Sequence, residues 1–387
     1  MQYDFDKAPR RCASDSLKWN TYGDDVLPLW IADMDFSSPL PVIRALQDRL
    51  EHPVFGYGKE PALLKELVVQ RLGREQGWRV EPEAIVFLPG LVTGLNVTTR
   101  GVGSPGDAVL VNTPVYPPFL SAPTNQERRL LTAEQVARPS DCGLRYEIDF
   151  DALERTVSPE TRLFILCNPH NPTGRAFSEP ELRHLAEFCL RHDLLICSDE
   201  IHCDLLLGES RHRSIAQVAP EVEARTITLL APSKTFNIPG LGCSLAVIPD
   251  ASLRRRFRSA AAGIVPDVNL FGFAAAVAAY QECEDWLTGL KAYLTDNRDF
   301  LVKFLSRNLP EIGTTVPEAT YLAWLDCRQL GPQTDPYRFF LEKAGVALSD
   351  GRRFGPGGEG FVRLNFGCTR EVLAQALERM RQAVREA

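Results

Sequence analysis

Between Ala84 and Ile248, short runs of apolar and β-branched residues alternate with stretches whose apolar positions return every three or four residues. That rhythm is the pattern of strands alternating with helices in a mainly parallel sheet. It predicts strands at Ala84 to Leu88, Ala108 to Asn112, Leu163 to Cys167, Leu194 to Ser198, Ile227 to Ala231 and Ser244 to Ile248. Ahead of this region, helices are predicted over Val42 to Leu50 and Leu63 to Glu75, and the residues before Leu27 are polar and aperiodic, as in an arm lying on another part of the molecule. Behind it the rhythm lengthens into helices over Ala251 to Ala262, Phe271 to Glu284 and Trp286 to Leu305, then strand-like runs at Tyr321 to Leu325 and Phe361 to Phe366. The expected organisation is therefore an α/β protein: residues 1–41 an arm and part of a small domain, 42–280 a large domain, and 281–387 a smaller α+β domain.

Composition narrows the function. A chain of 387 residues with 44% hydrophobic content can bury a substantial core, and a net charge of −7 argues against nucleic acid or an anionic membrane as partner. The basic run Arg254 to Arg258 reads as the solvated face of a helix. None of the ten cysteines is spaced as C-x-x-C, and Cys167, Cys189, Cys197 and Cys243 lie in apolar runs, so they read as core residues of a reduced compartment. No histidine pair has metal-ligand spacing. The polar stretch Met1 to Asp6 lacks the pattern of a signal peptide and no apolar run suits a membrane span, so a cytoplasmic location is expected. Gly101 to Gly106 fits G-x-G-x-x-G but follows a helix and precedes a strand, the reverse of a dinucleotide fingerprint.

In a parallel sheet the carboxyl ends of the strands lie along one edge, where open α/β sheets bind ligands. The unusual polar residues all follow predicted strands: Gly90, Thr113 to Tyr116, Asn168 to Gly174, Asp199 to His202, and Ser233-Lys234. Lys234 has an amine that condenses with a carbonyl when burial lowers its pKa; the alternative is an ordinary surface lysine. Asp199 ends an apolar strand and suits a protonated ring nitrogen, or else caps the following helix. Gly90-Leu91-Val92-Thr93 opens a helix whose free N–H groups suit a phosphate, with the Ser233 hydroxyl beside Lys234, although such turns also occur without ligands. Tyr116 suits stacking on a ring or core packing, and Asn171 suits a ring hydroxyl or a simple chain reversal. Arg363, on the strand face of Phe361 and Asn365, suits a carboxylate.

Together N-P-H-N-P-T-G-R (Asn168 to Arg175), S-D-E-I-H (Ser198 to His202), A-P-S-K-T-F-N (Ala231 to Asn237) and R-L-N-F (Arg363 to Phe366) resemble the fold-type I pyridoxal-phosphate enzymes. More narrowly the chain is similar to the MalY/PatB group of cystathionine β-lyases, through L-P-L-W-I-A-D-M-D-F (Leu27 to Phe36), Phe55-Gly56-Tyr57, N-T-P-V-Y-P-P-F (Asn112 to Phe119) and T-Y-L-A-W-L-D-C-R (Thr320 to Arg328). The resemblance implies a seven-stranded sheet with helices on both faces and pyridoxal 5′-phosphate as cofactor. It implies that Lys234 carries the cofactor, Asp199 pairs with its ring nitrogen, Asn171 contacts its ring hydroxyl and Tyr116 stacks on it. Gly90, Leu91, Val92 and Ser233 would hold its phosphate, and Arg363, with Ala32 and Asp33, the amino-acid substrate. Tyr57 would reach the cofactor phosphate of a neighbouring subunit, which implies a homodimer. His202, where many aminotransferases of this fold carry tyrosine, and Gly242, where many carry a phosphate-binding arginine, both resemble the lyase group. The expected activity is a carbon–sulfur β-lyase acting on L-cystathionine or a related L-cysteine S-conjugate, giving a thiol, pyruvate and ammonia. The alternative is an aminotransferase passing the amino group to a 2-oxo acid, and some members of the group also bind a regulatory protein.

Overall fold

Seven strands form the larger sheet of the computed structural model, which describes residues 3–12, 14–140, 143–331 and 335–387; Met1 and Gln2 of the polar amino-terminal stretch lie outside them. The strands are β1 (Ile85–Leu88), β2 (Ala108–Thr113), β3 (Arg129–Glu134), β4 (Thr161–Cys167), β5 (Leu195–Asp199), β6 (Thr226–Leu230) and β7 (Ser244–Val247), in the order β1-β7-β6-β5-β4-β2-β3. All run parallel except β7, which is antiparallel to both β1 and β6. The strand predicted at Ser244 is thus present but reversed: Leu245 pairs with Leu230, and the chain between them stays at one edge of the sheet, carrying Lys234. The pattern of apolar runs does not predict β3. It is a half-exposed edge strand with charged residues at both ends, so it has no continuous apolar signal. A two-stranded hairpin, Val136–Ser140 with Gly143–Glu147, was likewise hidden by its exposure.

The major helices are α1 (Leu40–Glu51), α2 (Ala62–Gln76), α3 (Leu91–Gly101), α4 (Pro117–Asn125), α5 (Glu179–Arg191), α6 (Ala251–Ala261), α7 (Leu270–Glu282), α8 (Glu284–Asn308) and α9 (Arg370–Arg385). Alternate residues of the sheet meet different helices, because successive side chains of a strand point to opposite faces. Val109, Val111, Leu163, Ile165 and Ile227 pack with Leu95 of α3, Phe119 of α4 and Phe257 of α6. Phe164, Leu166 and Ile196 pack with Leu182, Leu185 and Phe188 of α5, while Phe87 and Leu245 meet Leu64, Val68 and Leu72 of α2. Each such side chain, fully buried, contributes roughly 1.5–3 kcal/mol. Helix α5 begins where Ser178 and Glu181 form a reciprocal capping box, and Glu181 also pairs with the buried Arg175 at 2.8 Å.

The four-stranded antiparallel sheet runs β8 (Gly313–Thr314), β9 (Leu322–Asp326), β11 (Phe361–Asn365) and β10 (Ser349–Asp350). Leu322, Leu325, Val362 and Leu364 pack with Leu290, Leu294 and Leu301 of α8 and with Leu373, Leu377 and Met380 of α9. The amino-terminal residues join the same core, with the Phe5 ring edge-on to Phe36 at 5.2 Å and to Trp286 at 5.7 Å. Cys167, Cys189, Cys197 and Cys243 are buried free thiols. Among the described residues no helix is long and apolar enough to cross a membrane.

Asp35 ties the amino-terminal residues down. Its Oδ2 accepts from Lys18 Nζ at 3.0 Å, and its Oδ1 accepts from Arg11 Nη1 at 2.9 Å and Trp19 Nε1 at 2.8 Å. Lys18 is fully buried, so its ammonium has lost its water and depends on this carboxylate. Replacing one partner of a buried pair strands the other, so Asp35→Ala should lower unfolding free energy by about 3–5 kcal/mol in urea denaturation. A loss below about 1 kcal/mol, typical of an exposed pair, would contradict this role.

Candidate active site

A cavity of about 410 Å³ opens at the carboxyl edge of the large sheet, between it and the small one. Asp199 enters it from the end of β5, Lys234 from the helical turn Pro232–Thr235 after β6, and Arg363 from the middle of β11. Asn171, Tyr116, His202, Ser233, Ala32 and the residues Gly90, Leu91 and Val92 also line it. The predicted strand ends therefore converge, together with an arginine from the small sheet.

Asp199 is buried, and its Oδ1 accepts from the Ile201 N–H at 3.1 Å. That contact is a local turn; no helix starts there, which answers the capping alternative. Burial raises its carboxyl from the ordinary 3.8 to about 7, Glu200 adding to the shift and Lys234 opposing it. Lys234 donates from Nζ to the Ala32 carbonyl at 2.5 Å. Burial, then Arg363, lowers its amine to about 8, against the opposing pull of Asp33 and Asp199. The Tyr321 hydroxyl donates to the same Ala32 carbonyl at 3.0 Å.

Arg363 is buried among neutral groups. Its Nη1 donates to Asn171 Oδ1 at 2.9 Å, and its Nη2 donates to the Trp30 carbonyl at 2.9 Å and Ser349 Oγ at 3.2 Å; Nε has no partner among the described residues. Desolvation of that uncompensated cation lowers its pKa to about 10. Asn171 thus spends its oxygen on Arg363, and its amide nitrogen is the group left to donate into the cavity. Tyr116 donates its backbone N–H to the Asn171 carbonyl at 3.1 Å, and burial raises its hydroxyl pKa. His202 is buried, its Nδ1 has no partner among the described residues, and desolvation lowers its ring to about 3, the imidazole being neutral. At the other end of the cavity Gly90 precedes α3, and the Gly94 N–H takes the Gly90 carbonyl at 3.2 Å, which leaves the N–H groups of Leu91, Val92 and Thr93 without helical partners. Gly242 lies in the left-handed region at φ 60°, and an added Cβ would come within 3.0 Å of the Pro89 carbonyl, so an arginine is strained there.

Two predicted residues lie elsewhere. Asp33 is not among the residues lining the cavity: Arg11 holds its carboxylate at 2.8 Å, while its charge still raises the pKa of Lys234. Tyr57 is fully exposed on the turn between α1 and α2, beside exposed Val54 and Phe55, and is outside the cavity of its own chain.

The structure also recruits groups to which the sequence assigned no role. Asn237 accepts from the Met34 N–H at 3.0 Å and donates to the Phe36 carbonyl at 2.8 Å, while Asn365 donates to the Ile31 and Asp33 carbonyls at 2.6 and 2.7 Å. Behind Asp199, the buried Glu200 accepts from Ser198 at 2.8 Å and Ser214 at 2.7 Å and lies 2.7 Å from His212 Nε2. Asn237 and Asn365 do fall inside quoted motifs; their clamping role has no sequence signal because their partners are backbone atoms far along the chain. Among the described residues, no cluster of His, Cys, Asp and Glu is placed to hold a metal ion.

The residues present fit pyridoxal 5′-phosphate: a buried acid with a raised pKa and no cation in contact, a desolvated amine, an amide donor, an aromatic ring, and unpaired helix N–H groups at the far end. The aminotransferase class I and II family profile matches residues 24–380. The chain is 39% identical to cystathionine beta-lyase PatB of Bacillus subtilis, over 98% of this chain and 99% of that protein. The crystal structure of OvoB superposes with a TM-score of 0.94 at 44% identity, covering 100% of both chains. Cystalysin from Treponema denticola, whose structure contains pyridoxal 5′-phosphate, superposes with a TM-score of 0.94 at 33% identity, again over 100% of both chains.

The raised pKa of Asp199 has a consequence for the cofactor-free protein. Because the folded carboxyl holds its proton more tightly than the unfolded one, its contribution to stability is full below about pH 3.8 and is lost as pH rises to about 7. Asn cannot titrate, so the stability of Asp199→Asn relative to the parent should climb between roughly pH 4 and 7 and level off above, read by urea denaturation. A flat difference across that window would show the acid to be unperturbed.

Proposed function

Since this chain belongs to the aminotransferase class I and II family, whose cofactor is pyridoxal 5′-phosphate, we propose that it is a carbon–sulfur β-lyase. Its proposed substrate is L-cystathionine or a related L-cysteine S-conjugate, and its products are a thiol, pyruvate and ammonia. The observation that carries the lyase reading is the full-length likeness to PatB. His202 and Gly242, at positions where the aminotransferase alternative favours tyrosine and arginine, point the same way.

The bound cofactor supplies an electron sink for the pair left on Cα when its proton is removed. Lys234 holds and moves that proton: burial lowers its pKa to about 8, so that about one fifth of its amine is neutral at physiological pH and able to accept from Cα. Asp199, at the end of β5, would accept the ring N–H, Tyr116 would stack on the ring, and Asn171 would donate to the ring oxygen while its own oxygen orients Arg363. Arg363, held among the described residues by neutral acceptors, receives the substrate carboxylate, which supplies an anion to its buried charge. The N–H groups opening α3, with Ser233, receive the phosphate. The exposed Tyr57, on an apolar turn, suits insertion into the site of a second subunit, which makes the working unit a homodimer.

Lys234→Ala should cut pyruvate release from L-cystathionine by about a hundredfold or more and remove the visible absorbance of the holoenzyme. Wild-type protein given L-cystathionine without any 2-oxo acid should release stoichiometric pyruvate and thiol over many turnovers; a single half-turnover that stops would favour the aminotransferase instead. Arg363→Gln should raise KM by about thirtyfold or more, since it removes one member of a buried charged contact. An unchanged KM would place the substrate carboxylate elsewhere.

A further inference from the structure

The described residues that line the cavity include three permanently or potentially cationic long side chains, Lys234, Arg353 and Arg363, but one carboxylate, Asp199. The reading above uses Lys234 for the cofactor, Asp199 for its ring nitrogen and Arg363 for the α-carboxylate. Arg353 is left over.

Arg353 lies on the turn Gly351–Phe354, exposed toward solvent, and makes no hydrogen bond or ion pair among the described residues. Its neighbour shows that this is not for want of acids nearby. Arg352 reaches Asp350 at 2.8 Å and Asp335 at 2.9 Å, which uses up the carboxylates on the outer side of the turn. The backbone of Arg353 is fixed on both sides. An added Cβ at Gly351 would collide with the carbonyl oxygens of Gly358 and Phe361, so that residue is locked against the loop below. Phe354 is buried with its ring 5.1 Å from that of Trp324, and its carbonyl accepts from the Val115 N–H at 2.9 Å. A cation on a fixed turn loses less freedom when it captures a ligand.

Its place along the cavity excludes the phosphate end. The Arg363 guanidinium sits 5.1 Å over the ring of Phe354, the residue next to Arg353, and Arg363 also contacts Ser349. The opening of α3, where Pro89 meets Gly242, belongs to the strands at the other side of the sheet. Arg353 therefore lies on the Arg363 side of the cavity, away from the opening of α3.

We propose that Arg353 is a specificity residue that binds an anionic group on the sulfur substituent, so that the substrate is an L-cysteine S-conjugate whose thiol half carries a carboxylate. The proposal rests on the lyase reading for the identity of the sulfur substituent, but its test does not depend on turnover. S-carboxymethyl-L-cysteine and S-carbamoylmethyl-L-cysteine have nearly the same shape and differ in one charge. Their Kd values for the holoenzyme are measured by stopped-flow absorbance in the binding phase that precedes turnover, and pyruvate release is followed in parallel. The wild type should prefer the charged conjugate by about fivefold in Kd, the preference should vanish in Arg353→Gln, persist in part in Arg353→Lys and reverse in Arg353→Glu. Equal weakening of both conjugates in Arg353→Gln would mean that the residue serves the shared α-carboxylate, and absence of a charge preference in the wild type would mean that it serves no ligand; either overturns the proposal. Binding with the expected preference but without pyruvate release would sink the lyase reading while leaving the charge selectivity of Arg353 standing.

Discussion

The site depends on a stretch of backbone that has no strand to lie against. From Trp30 to Phe36 the chain runs outside any ladder between the two sheets, and buried peptide groups there need partners from elsewhere. Side chains supply them: Arg363 and Ser349 at the Trp30 carbonyl, Asn365 at Ile31 and Asp33, Lys234 and Tyr321 at Ala32, Asn237 at Met34 and Phe36. Several of these are the same side chains that form the cavity. Satisfying the backbone and arranging the chemistry are one set of hydrogen bonds.

Burial is also the leading cause of every large pKa displacement in the cavity. It pushes Asp199 up, and it pulls Lys234, His202 and Arg363 down, before any neighbour acts. The neighbours then modulate each other, since Arg363 lowers Lys234 further while Asp199 raises it. The cavity thereby carries a positive bias, and the neutral partners of Arg363 leave its charge available to an anion.

Much of this was legible in the chain because strand ends announce themselves. A buried parallel strand is a near-continuous apolar run, so a polar residue just after it, such as Asp199 or Lys234, stands out by contrast. That contrast failed for β3, whose exposed edge mixes Arg129 and Glu134 with half-buried leucines. It is silent on Asp33, named through the resemblance alone, whose carboxylate is taken by Arg11, far back in an aperiodic segment. Asn171 shows a different gap. Its position in the proline-rich turn pointed to the cavity, but only the folded chain reveals that its oxygen is already engaged by an arginine 192 residues away. Arg353 was passed over because one of two adjacent arginines looks like the other until the acids beside Arg352 are seen.

The clamped segment near the beginning of the chain is held by residues as late as Asn365, so the polypeptide is in effect knotted by hydrogen bonds into a closed circuit. Contacts that close across more than three hundred residues carry a loop-closure cost that is offset once the sheets holding both partners have formed. The amine of Lys234, bonded to the Ala32 carbonyl within this circuit, thus owes its burial to the docking of both extremities of the chain.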